Sequence, residues 1–241
     1  MKSNFLILTI ICFISCNEIG DGNPKPISSS INKIMSLGAS RVEGERPNFE
    51  SYRYELWKKL IDNNFTFDFI GTQSDNAKYP SFKGFNFDID HEGRGGWTSG
   101  DILEGLEGWL KQTGSPDLVL LSSPGGNDAL EGLSYSDAVS NINSIIDIIQ
   151  NNNPNITIII EQLAPGHSEI MTSELTFFWE SMQKEVLKIA VNKSTLTSQV
   201  IPVDMYTGFN DNLLVDDVHY NEEGAKFIAN RYFNILKNLL K

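Results

Sequence analysis

The sequence predicts an α/β protein in which a five-stranded parallel sheet lies between two layers of helices, a three-layer α/β/α sandwich. From residue 31 onward, short apolar runs alternate with longer amphipathic segments, a pattern typical of repeated βα units. Several of these runs are apolar at consecutive positions, which favours strands covered by helices on both faces. The 241 residues and the hydrophobic content of 40% suit one sizeable core and a single folded domain.

The predicted strands are the runs KIMSL, FDFIG, DLVLLS, TIIIE and VIPVD, at 33–37, 67–71, 117–122, 157–161 and 200–204. The predicted helices are the segments in which apolar residues recur at helical spacing, at about 50–63, 100–112, 135–151, 172–193 and 221–240. Parallel strands place their carboxyl ends at one edge of the sheet. The loops that follow the strands are therefore expected to form the functional site.

The first residues differ from the rest of the chain. Lys2 precedes the apolar run FLILTIICFIS, and Cys16 and a polar stretch follow it. The run is too short to span a bilayer, and a positive start before a short apolar core is typical of a secretory signal. We therefore expect a signal peptide over 1–15 and an exported protein, with an uncleaved membrane anchor or a misread start codon as the alternatives.

The end of the apolar run, FISC, resembles the bacterial lipobox, in which the cysteine is lipidated and becomes the first mature residue. Phe13 stands where that motif usually has leucine. The resemblance implies a lipoprotein that faces the periplasm or the cell surface and contacts the membrane through a lipid on Cys16 only; cleavage without lipidation stays open. Residues 16–30 are expected to form the lipidated start and a polar tether, and 31–241 the folded domain.

Charge and cysteine content exclude several classes of protein. The net charge of −12 and the pI near 4.7 oppose binding to phosphate backbones, so no nucleic acid partner is expected. One of the two cysteines, Cys12, lies inside the predicted signal, which leaves no disulfide framework. Three widely separated histidines argue against a zinc site, and we expect neither a metal nor a cofactor.

Polar stretches follow the predicted strands and could meet at one crevice. Ser40 comes just after the first strand, Gly96 lies in HEGRGGWTSGD, Asn127 in SSPGGNDAL, and Asp216 and His219 in LLVDDVHYNEEG. A serine becomes a nucleophile when a histidine takes its proton and a carboxylate orients that histidine. A spacing of three places Asp216 and His219 on one face of a turn, where they can form such a pair.

Acyl transfer also needs hydrogen-bond donors aimed at the developing oxyanion. The backbone N–H groups of Ser40 and Gly96 and the side chain of Asn127 could supply three donors, so the set is complete for ester hydrolysis. Each signal alone is weak, because Gly-x-Ser and GGND are ordinary turn sequences and Asp216 could simply cap a helix. Their joint occurrence, in order and after predicted strands, favours catalysis.

In this combination the chain resembles the SGNH, or GDSL-type, hydrolase superfamily from residue 31 to its end. Gly38-Ala39-Ser40 matches the first block, Gly96 the second, Asn127 the third and DDVH at 216–219 the last. The resemblance implies a flavodoxin-like SGNH hydrolase fold and a serine esterase. It assigns Ser40 as nucleophile, His219 as base, Asp216 as the acid that orients it, and Ser40, Gly96 and Asn127 as the oxyanion hole.

The chain departs from the family at Ala39, where most members have an aspartate. In the family that aspartate mainly supports the loop by hydrogen bonding. We expect its absence to loosen the turn at Ser40 and to affect the rate of the reaction more than its kind.

Three residues beside Gly96 are candidate substrate-binding residues. Trp97 could stack on a sugar ring or seal a helix against the sheet, and Arg94 flanks the same loop. His91 could contact a substrate, although a hydrogen bond within the loop is the favoured interpretation. Arg41 and Arg46, just after the nucleophile, could touch a carboxylated or sulfated substrate, although solvated surface charges are the favoured interpretation.

The substrate is expected to be a small-molecule or glycan ester. An exported esterase with an aromatic residue beside its oxyanion loop suits the removal of acetyl groups from a carbohydrate, and similar family members include carbohydrate acetylesterases. A short-chain lipase or thioesterase, and a non-catalytic glycan-binding surface protein on the same fold, are the alternatives.

An α/β-hydrolase is excluded because Val42 takes the place of the last glycine in Gly-x-Ser-x-Gly. The sequence predicts neither the acyl group, nor the alcohol, nor the oligomeric state.

Overall fold

The computed structural model describes residues 25–240, and the predicted signal peptide and Cys16 lie outside this range. The strands are β1 (Lys33–Gly38), β2 (Asp68–Ile70), β3 (Gln73–Ser74), β4 (Asp90–Gly93), β5 (Leu118–Leu121), β6 (Thr157–Gln162) and β7 (Gln199–Asp204). The α-helices are α1 (Ser40–Glu43), α2 (Tyr52–Asp62), α3 (Ser99–Thr113), α4 (Gly126–Leu130), α5 (Tyr135–Asn152), α6 (Ser173–Lys193) and α7 (Glu222–Leu236). None of the helices within 25–240 has the length and apolar character needed to cross a membrane.

The strands form one mostly parallel sheet in the order β3-β4-β1-β5-β6-β7, with β2 also paired to β1. The amino-terminal part of β1 pairs with β2, from Lys33 opposite Asp68, and its carboxyl end pairs with β4, where Gly38 lies opposite Gly93. Because β5 pairs with the other side of β1, the short strands β2 and β4 share one position in the sheet. Only β3, at the edge, is antiparallel to its neighbour.

The predicted α/β/α fold class is confirmed, and all five predicted strands and all five predicted helices are present. The last helix ends at Leu236 rather than at residue 240. The structure also has two strands that the sequence analysis does not predict, β3 and β4. Their sequences, QS and DHEG, contain no apolar run, because β4 depends on backbone pairing with the end of β1 rather than on burial of aliphatic side chains.

Helices cover both faces of the sheet. Alternate residues of β1 enter different clusters: Met35 and Leu37 pack with α3, α5 and α6, whereas Ile34 packs with α2 and α7. This division explains why the strands are apolar at consecutive positions. The longer helices begin at side chains that accept a hydrogen bond from the first turn, namely Ser51, Thr98, Ser134, Thr172 and Asn221.

The fold places the end of β1 at a crevice. After β1 the chain builds β2 and β4 on one side of it and β5 on the other, and such a switch point is where open α/β sheets bind their ligands. Ser40 lies immediately beyond this end.

The last residues of the predicted tether, 25–30, lie within the described part and form neither helix nor strand. The Nζ atom of Lys25 donates to Oδ1 of Asp90 at 2.6 Å and to the carbonyl of Gln73 at 2.8 Å. This end of the segment therefore contacts the β3–β4 edge of the sheet. The boundary at residue 30 stays a prediction.

Candidate active site

A serine, a histidine and an aspartate form a continuous hydrogen-bonded chain in the crevice. The Oγ atom of Ser40 lies 2.9 Å from Nε2 of His219, and Nδ1 of His219 lies 2.8 Å from Oδ2 of Asp216. Ser40 starts α1, and the other two residues lie in the loop before α7. These distances suit transfer of the serine proton to the histidine.

The backbone of the same loop fixes the carboxylate of Asp216. Its Oδ1 atom accepts from the N–H groups of Val218 at 2.9 Å and His219 at 2.7 Å. Burial alone would raise the pKa of Asp216, but these hydrogen bonds and the His219 ring hold that pKa below its ordinary value. An ionised carboxylate only accepts, so Nδ1 of His219 carries the proton and Nε2 is free to accept from Ser40.

Phe49 holds the plane of the histidine ring. Its ring stacks on that of His219 with centroids 3.9 Å apart and an interplanar angle of 18°. The N–H of the next residue, Glu50, donates to the carbonyl of Tyr220 at 2.9 Å, which joins this segment to the histidine loop. The contact joins distant parts of the chain and has no local sequence signal.

Donors for an oxyanion lie in the same cleft. Ser40, Gly96, Asn127 and His219 all line a cleft of about 510 Å³. The Nδ2 atom of Asn127 donates to the carbonyl of Trp97 at 2.8 Å, which leaves its second N–H for a ligand. Gly96 has a φ of +78°, and a Cβ there would meet no atom within 4 Å. Its backbone conformation, rather than lack of space, therefore favours glycine at this position.

The turn at the nucleophile is closed without an aspartate at position 39. The carbonyl of Ala39 accepts from the N–H groups of Val42 and Glu43, each at 3.0 Å. The Oε2 atom of Glu43 accepts from the N–H of Gly95 at 2.5 Å. A carboxylate four residues further along thus links α1 to the loop that carries Gly96.

Arg41 is buried, with 6% of its surface exposed, so its interpretation as a solvated charge is wrong. Its guanidinium donates to the carbonyls of Val218 at 2.8 Å, Ala164 at 2.8 Å and Pro165 at 3.0 Å. The residue after the nucleophile thus joins α1 to the loops that follow β6 and precede α7. Arg41 therefore fastens the backbone beside His219.

Removing this side chain is expected to destabilise the protein and to slow catalysis. The variant Arg41→Met leaves buried carbonyls unpaired, at a cost of about 1–3 kcal/mol each in the free energy of unfolding. It also frees the backbone next to His219, so kcat should fall together with the melting temperature. Both quantities are measured on one preparation, with p-nitrophenyl acetate as substrate.

Lys184→Met is the control for this prediction. Lys184 is 73% exposed and lies 3.9 Å from Glu180, a contact worth about 0–1 kcal/mol. The control should therefore change the melting temperature little. An Arg41→Met protein with wild-type stability and kcat would show that Arg41 does not support the site.

The other predicted site residues are placed differently. His91 is 2% exposed, its Nδ1 accepts from the N–H of Gly93 at 3.0 Å, and burial lowers its pKa to about 2. Arg94 donates to Thr72 at 2.9 Å and to Glu92 at 2.8 Å. Trp97 lines a smaller inner cavity beside Ser40, of about 40 Å³. Neither His91 nor Arg94 is among the described residues that line the cleft or this inner cavity.

Within residues 25–240, no group of three or more His, Cys, Asp or Glu side chains is arranged to hold a metal ion.

Comparison with known proteins identifies the family. The profile of the GDSL-like lipase/acylhydrolase family matches residues 72–227, a range that includes Gly96, Asn127, Asp216 and His219 and begins after Ser40. The chain therefore belongs to this family, within the SGNH hydrolase superfamily, and is an SGNH-type carboxylesterase. No curated protein sequence gives a significant match.

Solved structures of esterases have the same fold. An acetyl esterase mutant with an acetate ion is 26% identical, with a TM-score of 0.72 over 86% of this chain and 97% of the other. A carbohydrate esterase family 3 protein from Talaromyces cellulolyticus is 26% identical, with a TM-score of 0.70 over 86% and 97%. A family 3 carbohydrate esterase from Clostridium thermocellum is 29% identical, with a TM-score of 0.69 over 87% and 98%. The predicted resemblance to SGNH hydrolases is thus confirmed.

Proposed function

We propose that this protein removes acetyl groups from a carbohydrate by a Ser-His-Asp mechanism. The observation that carries the proposal is the hydrogen-bonded chain from Asp216 through His219 to Ser40, with distances of 2.8 and 2.9 Å, in the cleft. Ser40 is the nucleophile, His219 the general base and Asp216 the group that orients it.

The reaction has two half-reactions. The Oγ atom of Ser40 attacks the ester carbonyl as its proton passes to Nε2 of His219, and the oxyanion accepts from the N–H groups of Ser40 and Gly96 and from Asn127. The intermediate then collapses, the sugar alcohol leaves with the proton from His219, and an acyl-serine remains. In the second half, His219 takes a proton from water, the hydroxide attacks the acyl-serine, and the acid leaves as Ser40 regains its proton.

The size of the inner cavity favours a short acyl group. Ser40, Trp97, Leu121 and Asn127 are among the residues that line its volume of about 40 Å³. One water needs roughly 10–15 Å³ measured in this way, so the cavity has room for about three water-sized groups. An acetyl group fits this space, and a long acyl chain does not.

Similar structures support a carbohydrate as the alcohol. Two of the similar structures are family 3 carbohydrate esterases, and a third is an acetyl esterase. The cleft of about 510 Å³ is wide enough for a sugar alcohol outside the inner cavity. An exported lipoprotein with Cys16 as its anchor, which is part of this proposal, would meet glycans at the periplasmic or outer surface.

Acyl-chain preference and acetate release test this proposal. We expect kcat/KM for p-nitrophenyl acetate to exceed that for the butyrate ester by about tenfold or more, since one or two misfitting methylenes in an apolar pocket are worth roughly 1–3 kcal/mol. The octanoate ester should not be turned over. Acetylated xylo-oligosaccharides should release acetate.

A variant of the inner cavity gives the control. Trp97→Ala enlarges the cavity and keeps the carbonyl that Asn127 contacts, so it should raise the butyrate-to-acetate ratio. Faster turnover of octanoate than of acetate would instead indicate a lipase. Binding of the oligosaccharides without acetate release would indicate a glycan-binding protein.

A further inference from the structure

We propose a second sugar-binding subsite beside the catalytic cleft, which holds the neighbouring residue of a neutral glycan chain. It occupies a separate polar cavity of about 330 Å³. The inference rests on the proposed function, because the ester in the cleft must be carried by a carbohydrate.

The two cavities adjoin. Residues 43–45 line both of them, with Ser40 and His219 on one side and Gln73, Asp75 and Asn76 on the other. The middle of this shared wall is Gly44, where a φ of +72° favours glycine and a Cβ would meet the buried Ser51 at 3.0 Å. Because these three consecutive residues line both cavities, a glycan whose ester lies in the cleft can place its next residue in the second cavity.

The lining suits sugar hydroxyl groups. Arg46, Gln73, Ser74, Asp75 and Asn76 all line the cavity and present both donors and acceptors. Ser74 and Asn76 are exposed, so their polar groups are open to a ligand in this cavity.

The charge of the lining favours a neutral sugar. Glu43 and Glu45 contribute two carboxylates at the shared wall, and Arg46 contributes the one guanidinium of the lining. The third carboxylate of the lining, Asp75, is paired with Arg53, so the lining keeps a net negative charge. A uronic acid or a sulfated sugar would meet repulsion from the carboxylates at the shared wall, whereas neutral hydroxyl groups can donate to them.

The cavity is preformed. Asp75 is held by the fully buried Arg53 at 2.7 Å, and its N–H donates to the carbonyl of Ile89 at 3.1 Å. Ser74 donates to Asp90 at 3.1 Å across the β3–β4 pair. A site that is already ordered binds without the cost of ordering a loop, and its volume lies at the low end of the roughly 300–1,000 Å³ typical of small-molecule sites, which suits one sugar residue.

The experiment compares acetylated sugars of increasing length with the full chain. We expect kcat/KM for acetate release to rise at least tenfold from mono-O-acetyl xylose to the matching xylobiose and xylotriose esters, since only the longer esters reach the second cavity. Ala77→Trp, which fills the cavity, and Asn76→Ala, which removes one polar group, should lower the values for the longer esters toward that of the monosaccharide. Turnover of p-nitrophenyl acetate should stay unchanged in both variants.

Lys78→Ala is the matched control, because Lys78 is exposed, follows in the same loop and lies outside both linings. Calorimetry adds a readout that does not depend on activity: Ser40→Ala should bind unacetylated xylotriose, and Ser40→Ala/Ala77→Trp should not. Equal kcat/KM for short and long esters, or no effect of Ala77→Trp on either measurement, would overturn the subsite and leave the proposed function standing. Absence of acetate release from every sugar, with p-nitrophenyl acetate still hydrolysed, would overturn the carbohydrate substrate and the subsite with it.

Discussion

Replacement of Ser40 by alanine is expected to reduce ester turnover by roughly 10⁶-fold in kcat, the scale observed when the serine of a Ser-His-Asp triad is removed. The Oγ atom that donates to Nε2 of His219 at 2.9 Å is the only atom lost, and no other side chain in the cleft can take its place as the attacking group. The fold should persist, because the Ser40 backbone still starts α1. The measurements are kcat with p-nitrophenyl acetate and the melting temperature of the same protein.

The chain offers a matched control for this prediction. Ser168, His167 and Asp211 are a second set of the same three residue types, but Oγ of Ser168 donates to Asp211 at 2.6 Å, and His167 lies 3.8 Å from that carboxylate. A hydroxyl that donates to a carboxylate is not activated by a histidine. Ser168→Ala should therefore keep wild-type kcat.

Covalent labelling separates the two serines directly. A fluorophosphonate should modify Ser40 and stop turnover. Modification of Ser168 with activity retained, or turnover by Ser40→Ala at a rate near that of the wild type, would remove Ser40 from the role of nucleophile.

The strands of the fold can be predicted from the sequence where burial on both faces of the sheet makes them apolar. The run that forms β5 is apolar at all four positions, and β6 contains three consecutive isoleucines, because both faces of the sheet are covered. Such runs are recognisable without a structure. The strand β4 is different. Its pairing with the end of β1 uses backbone groups, and its sequence DHEG therefore resembles a loop.

The residues that support the site are likewise predictable from the sequence only where their contacts are local. Asp216 and His219 are three apart, so their pairing is readable from local sequence. The contacts of Arg41 with Ala164 and of Phe49 with His219 join distant segments, and no local pattern signals them. In the charged segment SRVEGER, the sequence alone indicates that Arg41 is a surface charge. Only the positions of the surrounding loops show that Arg41 is buried among backbone carbonyls.

Replacement of Asn127 by alanine is expected to lower kcat by roughly 10²–10³-fold, the loss observed when one oxyanion donor is removed. KM should change little, because the interaction strengthens only as negative charge develops on the substrate oxygen. The structure also gives Asn127 a second contact, from Nδ2 to the carbonyl of Trp97 at 2.8 Å. Loss of this hydrogen bond should lower the free energy of unfolding by about 1 kcal/mol, so kcat and the melting temperature are measured together.

Asn141→Ala separates the two effects of this substitution. Asn141 is also partly buried, and its Nδ2 donates to Oγ of Ser99 at 3.1 Å, but it does not line the cleft. The Asn141→Ala variant should therefore lose a similar amount of free energy of unfolding and keep the wild-type kcat. If Asn127→Ala loses the same stability as Asn141→Ala and also keeps a kcat near that of the wild type, Asn127 only holds the loop of Trp97, and the backbone N–H groups of Ser40 and Gly96 must stabilise the oxyanion without it.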